Sequence, residues 1–173
     1  PGARGQGQGQ GQGQGGRVRV RDLHVVGISV GAFAADACIR EYKRTVLERH
    51  GPGALRQVRT RLTLLDPFTS RGLVGTRYGA KNFGLEADYC EHYLNTDDPV
   101  PSTNLPLPHA YTFDVTGAQE RRSFVPLPGD SMHSWPVAYF GLNWAQKIDP
   151  RRRMGEFPSD HAVNARGGVR NVE

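Results

Sequence analysis

Apolar residues fall along this chain in short blocks separated by polar, turn-forming stretches, a pattern that predicts strands alternating with helices. Leu23–Gly27 (Leu-His-Val-Val-Gly) is an apolar run ending at glycine, as expected of a buried parallel strand. From Ala32 to about Glu48, Phe33, Ala37, Tyr42 and Leu47 mark one side of a helix that Gly51-Pro52-Gly53 should stop. Arg61–Leu65 predicts a second strand, ended by Asp66-Pro67, and Tyr89–Leu94 a third, ahead of Asp97-Asp98-Pro99. Ala110–Val115 reads as a fourth. Trp135, Tyr139, Phe140 and Trp144 share one face of a last helix. The expected class is α/β, with a mainly parallel sheet of about four strands flanked by helices.

Both ends depart from this pattern. Residues 1–21 are rich in Gly, Gln and Arg, with Gly-Gln repeated from Gly5 to Gln14, and read as a disordered segment. Residues 149–173, with Arg151, Arg152 and Arg153, read as a disordered, solvated tail. Residues 22–148 are then the folded domain.

Charge follows the same division. The formal net charge is +5, yet residues 22–148 hold 13 basic and 13 acidic side chains, so the excess sits on the ends. A nucleic-acid-binding domain carries its basic stripe on the folded part, so no nucleic-acid partner is expected. Cys38 and Cys90 are too few for a disulfide framework and match no zinc spacing; both read as small buried thiols. No apolar run approaches the ~18 residues of a membrane span, and no signal peptide is visible.

The segment with most chemistry is Gly27-Ile28-Ser29-Val30-Gly31, a G-x-S-x-G between a strand and a helix. In a chain with 22 glycines the spacing alone is weak; the strand and helix around it give it meaning. A sharp strand-to-helix turn lifts a serine hydroxyl into the open, and Gly27 and Gly31 would let neighbouring backbone pass close. Ser29 would sit at a helix N-terminus, with the Val30 N–H as first oxyanion donor.

A serine hydroxyl needs a base, usually histidine. His24 lies inside the first strand and is expected to pack beneath the turn. His50 ends a helix, His92 is within a strand, His109 is in a Pro-rich loop and His161 is in the tail. His133 lies in a polar loop after the last of these strands, where loops of a parallel sheet converge on one edge, and is the expected base. An acid must orient that base. Asp66 and Asp98 both end strands, and local sequence leaves the choice open. Asp97 and Asp98 also suit a turn capped by its own backbone.

The succession of Gly-Ile-Ser-Val-Gly-Ala, Leu-Leu-Asp-Pro, Asn-Thr-Asp-Asp-Pro-Val-Pro and Met-His-Ser-Trp-Pro-Val-Ala-Tyr-Phe resembles the lipase family of α/β-hydrolases typified by pancreatic and lipoprotein lipases. The resemblance spans about residues 22–145. It implies a Ser29, Asp66, His133 triad, with Asp98 as the alternative acid, and a partial α/β-hydrolase fold. It implies carboxylic esters as substrates, lipid esters among them, with contact to a lipid surface and no cofactor. Some members hold calcium, but no acidic cluster here suits it, so no metal is expected. Secretion is implied by the resemblance alone. Such enzymes place about four strands ahead of the nucleophile, whereas 28 residues precede Ser29 here, 16 of them Gly/Gln-rich. The chain is therefore expected to be a fragment, the C-terminal half of a catalytic domain. The competing expectation is a hydrolase remnant that binds rather than turns over.

Overall fold

The computed structural model describes residues 21–70, 77–100, 102–147 and 166–172. Five strands form one sheet in the order β1-β2-β3-β4-β5, every neighbouring pair parallel. They are β1 (Asp22–Ile28), β2 (Arg59–Leu65), β3 (Tyr89–Leu94), β4 (Tyr111–Asp114) and β5 (Val169–Asn171). Helix α1 (Gly31–Leu55) links β1 to β2, α2 (Tyr78–Asn82) precedes β3, and α3 (Trp135–Lys147) follows β4 after two 3-10 turns.

Side chains alternate across the strands and split the core in two. Leu62, Leu64 and Cys90 face α1, where they meet Ala32, Ala35 and Ile39. Leu65, Tyr93 and Phe113 face the other way, against Trp135 and Tyr139 of α3. Trp135 is fully buried and its indole N–H donates to the Val115 carbonyl at 2.8 Å, which fixes the start of α3. Leu62–Leu65 is thus buried on both faces, with Thr63 as its one polar member.

The α/β class is as expected, but the sheet has five strands rather than about four. The fifth lies in the segment expected to be a tail. Its three residues are exposed and carry no apolar run, so hydrophobic patterning cannot find them. Backbone pairing holds them instead: Gly167 N–H donates to Ala110 O at 2.8 Å, and Val172 N–H to Asp114 O at 2.9 Å. Arg166, read as solvated, donates to the carbonyls of Ala87 (2.6 Å) and Asp88 (2.9 Å). The rest of that segment and residues 1–20 lie outside the described residues, as does His161.

Other boundaries shift slightly. Gly51 (φ 76°, ψ 176°) breaks α1 where expected, and one further turn follows it. Cys90 is buried but Cys38 is exposed, because it falls on the outer side of α1. His24 bonds to Thr63 Oγ1 at 2.8 Å beside a buried ion pair, Arg61 to Glu91 at 2.6 Å. On the outer strand β1, Val26 and Ile28 are nearly half exposed, and Val30 beyond it more so. Among the described residues no helix is long and apolar enough to cross a membrane.

Candidate active site

The carboxyl ends of β1, β2 and β3 gather the predicted residues. Ser29 directly follows β1 with φ 50°, a left-handed conformation that side chains rarely adopt and that costs about 1–3 kcal/mol. Its backbone is clamped on both sides: Ser29 N–H donates to Leu65 O at 3.1 Å, and Phe68 N–H donates to Ser29 O at 3.1 Å. The turn after β1 is thereby tied to the turn after β2. Gly27 is required for this packing, since a Cβ there would lie 2.8 Å from Ala32 Cα. Gly31 is not: a Cβ there meets nothing within 4 Å, contrary to the close approach expected of it. Val30 is the N-cap of α1 and exposed; among the described residues its N–H has no acceptor.

Asp66 also has positive φ (46°), and its N–H donates to Tyr93 O at 3.0 Å, carrying β2–β3 pairing one step past the strand. Asp98 lies in the turn after β3. Its Oδ1 accepts from Val100 N–H at 3.0 Å and its Oδ2 from Thr103 Oγ1 at 2.9 Å. It caps its own turn, as the sequence allowed, and its carboxyl also meets His133. Asp97 next to it is exposed and paired with Arg121.

His133 sits in the 3-10 turn Met132–Ser134 that leads into α3, with Ser131 accepting from its N–H at 3.2 Å. Asn95, fully buried after β3, donates from Nδ2 to Met132 O at 3.0 Å. The sequence offered no distinct signal for Asn95, whose role depends on a partner 37 residues away. The His133 ring meets both acids at once: Nδ1 is 2.7 Å from Asp66 Oδ2 and 2.7 Å from Asp98 Oδ2. Both carboxyl side chains are 0% exposed. Among the described residues Ser29 Oγ makes no hydrogen bond to His133.

Two carboxylates that meet the same ring nitrogen repel each other if both are ionised. The environment resolves this by pushing them apart in acidity. Burial above all, then the neighbouring Asp98, raises Asp66 to about 9. Burial also pushes Asp98 upward, but the bonds it accepts from Asp66, Val100, Thr103 and His133 outweigh this and hold it below its ordinary value. These opposite directions favour the proton on Asp66 and the charge on Asp98.

One ligand atom from each of Asp66, Asp98 and His133 lies within 4.8 Å of the others, so these are the residues that could hold a cation. Oxygen and nitrogen ligands about 2.1 Å from a tetrahedral zinc would stand about 3.4 Å apart. The 2.7 Å separations from His133 are those of a hydrogen-bonded cluster. Beside the serine turn, a cleft of about 450 Å³ is lined by Val30, Phe33, Ala37, Phe68 and Tyr78, with Arg40 among its polar edges.

Compared with protein-family models, with curated proteins and with solved structures, the chain matches none.

Proposed function

We propose that this chain carries the serine-nucleophile half of an α/β-hydrolase acting on carboxylic esters. The observation that supports it best is the cluster of His133 on two fully buried acids, at the same sheet edge as a serine in the left-handed region. The residues resembling lipase motifs are those that gather there. Ser29 Oγ attacks the ester carbonyl while His133 takes its proton through the ring nitrogen that does not face the acids. Collapse of the tetrahedral intermediate breaks the bond to the alkoxy oxygen, which receives that proton from His133 and leaves as alcohol. Water, deprotonated by His133 in turn, then releases the acid from Ser29. The Val30 N–H, at the start of α1, stabilises the oxyanion in this reading. The apolar cleft beside Val30 suits the hydrocarbon part of the ester, which favours lipid-like substrates.

The second reading is a binding module without turnover, favoured by the lack of a Ser29–His133 hydrogen bond among the described residues. Labelling with a fluorophosphonate probe separates the two. Labelling of the chain that disappears in Ser29→Ala is expected. A folded chain that takes up no probe would leave the binding module standing.

A further inference from the structure

We propose that Asp66 and Asp98 act as one positioning acid, sharing a single proton while both hold the Nδ1 side of His133. This rests on the reading of Ser29 and His133 as nucleophile and base. The geometry asks for two acids where a serine hydrolase needs one. A single Nδ1–H faces two carboxyl oxygens at equal distances of 2.7 Å, both on fully buried side chains. Among the described residues neither acid has a salt bridge to Lys or Arg, the nearby Arg121 being held by Asp97. With the His133 ring neutral, two uncompensated buried charges would be left if both ionised; a proton kept between the acids avoids this.

The surroundings decide where it rests. Asp98 receives Val100 N–H and Thr103 O–H, donors that stabilise a carboxylate. Asp66 lies deeper at the end of β2, with the negative charges of Asp98 and Asp97 on its side and His133 across from it. The proton therefore stays on Asp66, which donates it to Asp98, and the pair bears one negative charge. When His133 becomes an imidazolium during attack on the ester, that single charge balances it. The shared proton can shift from Asp66 toward Asp98 without entering or leaving the site, so the balancing charge can follow the ring. No oxidant, metal or further proton donor is needed.

The pair is tested first without turnover, by infrared spectroscopy of the chain labelled with ¹³C-carboxyl aspartate. At pH 7 the wild type minus Asp66→Asn difference spectrum should contain a protonated-carboxyl C=O band. Its absence would overturn the shared proton whether or not the chain is an enzyme. Ester turnover supplies the second test. Asn at position 66 keeps a neutral donor to Asp98, so Asp66→Asn should lower kcat by about tenfold. Asp98→Asn leaves only a buried Asp66 to ionise, so it should lower kcat by about 1000-fold at neutral pH, with partial recovery as pH rises. The reverse ranking, with Asp66→Asn costing the ~10⁴-fold typical of a lost triad acid, would show Asp66 acting alone. Wild-type chain that carries the band but neither labels nor turns over would refute the hydrolase reading, and with it the role of the pair in positioning a catalytic base.

Discussion

Asn95 holds the loop that carries His133, its buried side-chain amide donating to the Met132 carbonyl at 3.0 Å. The next residue along is His133, so this bond fixes where the ring enters the site. Asn95→Ala removes one of the two donors on that carbonyl, leaving the Trp135 N–H alone, and opens a small void at the end of β3. A lost buried hydrogen bond of this kind costs about 1–3 kcal/mol. Turnover should suffer more than substrate binding, because a displaced base weakens proton transfer but not the cleft. We expect kcat to fall about 10- to 100-fold with KM within about threefold, since misplacement by about 1 Å can cost about 100-fold. An equal loss in both constants would place Asn95 in substrate contact instead.

Gly27 and Gly31 frame Ser29 symmetrically in sequence but not in space. A Cβ on Gly27 would sit 2.8 Å from Ala32 Cα and 2.9 Å from Ala35 Cβ, and the first of these is backbone that cannot rotate away. Gly27→Ala must push α1 off β1, an overpacking that costs about 1–3 kcal/mol. Gly31→Ala meets open space at the first residue of α1 and should be neutral or stabilising by up to about 1 kcal/mol. Thermal melts of the two variants check this, and a Gly27→Ala chain as stable as wild type would mean that α1 and β1 are not packed this closely.

These two glycines also mark the limit of what the sequence made legible. The blocks Arg61–Leu65 and Tyr89–Leu94 gave β2 and β3, which are buried on both faces of the parallel sheet. Leu23–Gly27 gave β1, but as an edge strand it is less buried than its apolar run suggested. The aromatic spacing from Trp135 gave α3 for a related reason. What pattern could not give was anything held by backbone bonds or by distant partners. Strand β5 has no apolar face, and Asn95 has meaning only through Met132. The choice between Asp66 and Asp98 looked like one acid against another because each occupies a strand end. In the fold both strand ends reach the same ring nitrogen, a relationship that no local window contains.

Ala37 lies one turn beyond Phe33 on α1, in the wall of the apolar cleft. Ala37→Trp should fill that space while leaving Ser29 and its clamps in place. If the cleft receives the hydrocarbon part of the ester, long acyl chains should lose more than short ones. Because each methylene in an apolar pocket is worth about 1–3 kcal/mol, the long-to-short ratio of kcat/KM should drop by at least about tenfold. An unchanged ratio in a folded, active variant would show that the acyl chain lies elsewhere.

The buried titrating groups set how stability varies with pH. Folded, Asp66 keeps its proton up to about 9, raised by burial and then by Asp98; unfolded, it ionises near about 4. Across that window the folded chain holds a proton that the unfolded chain has lost, so this group makes stability fall as pH rises. Asp36 and Glu91, also raised by burial, act in the same direction. Two histidines act at the other end. His24 is lowered to about 4 by burial and then Arg61, and His92 to about 3 by burial alone. Both are neutral when folded and gain a proton on unfolding below about 6.5, so stability falls as pH drops from there. The melting temperature of the wild type should therefore peak on the acid side of neutrality. Asp66→Asn removes one contributor to the alkaline limb. Its melting temperature should exceed that of the wild type by several degrees at about pH 8.5, and the gap should close toward about pH 4. A gap that does not widen with pH would mean that Asp66 is already ionised in the folded chain, and that the charge balance around His133 is not the one its surroundings dictate.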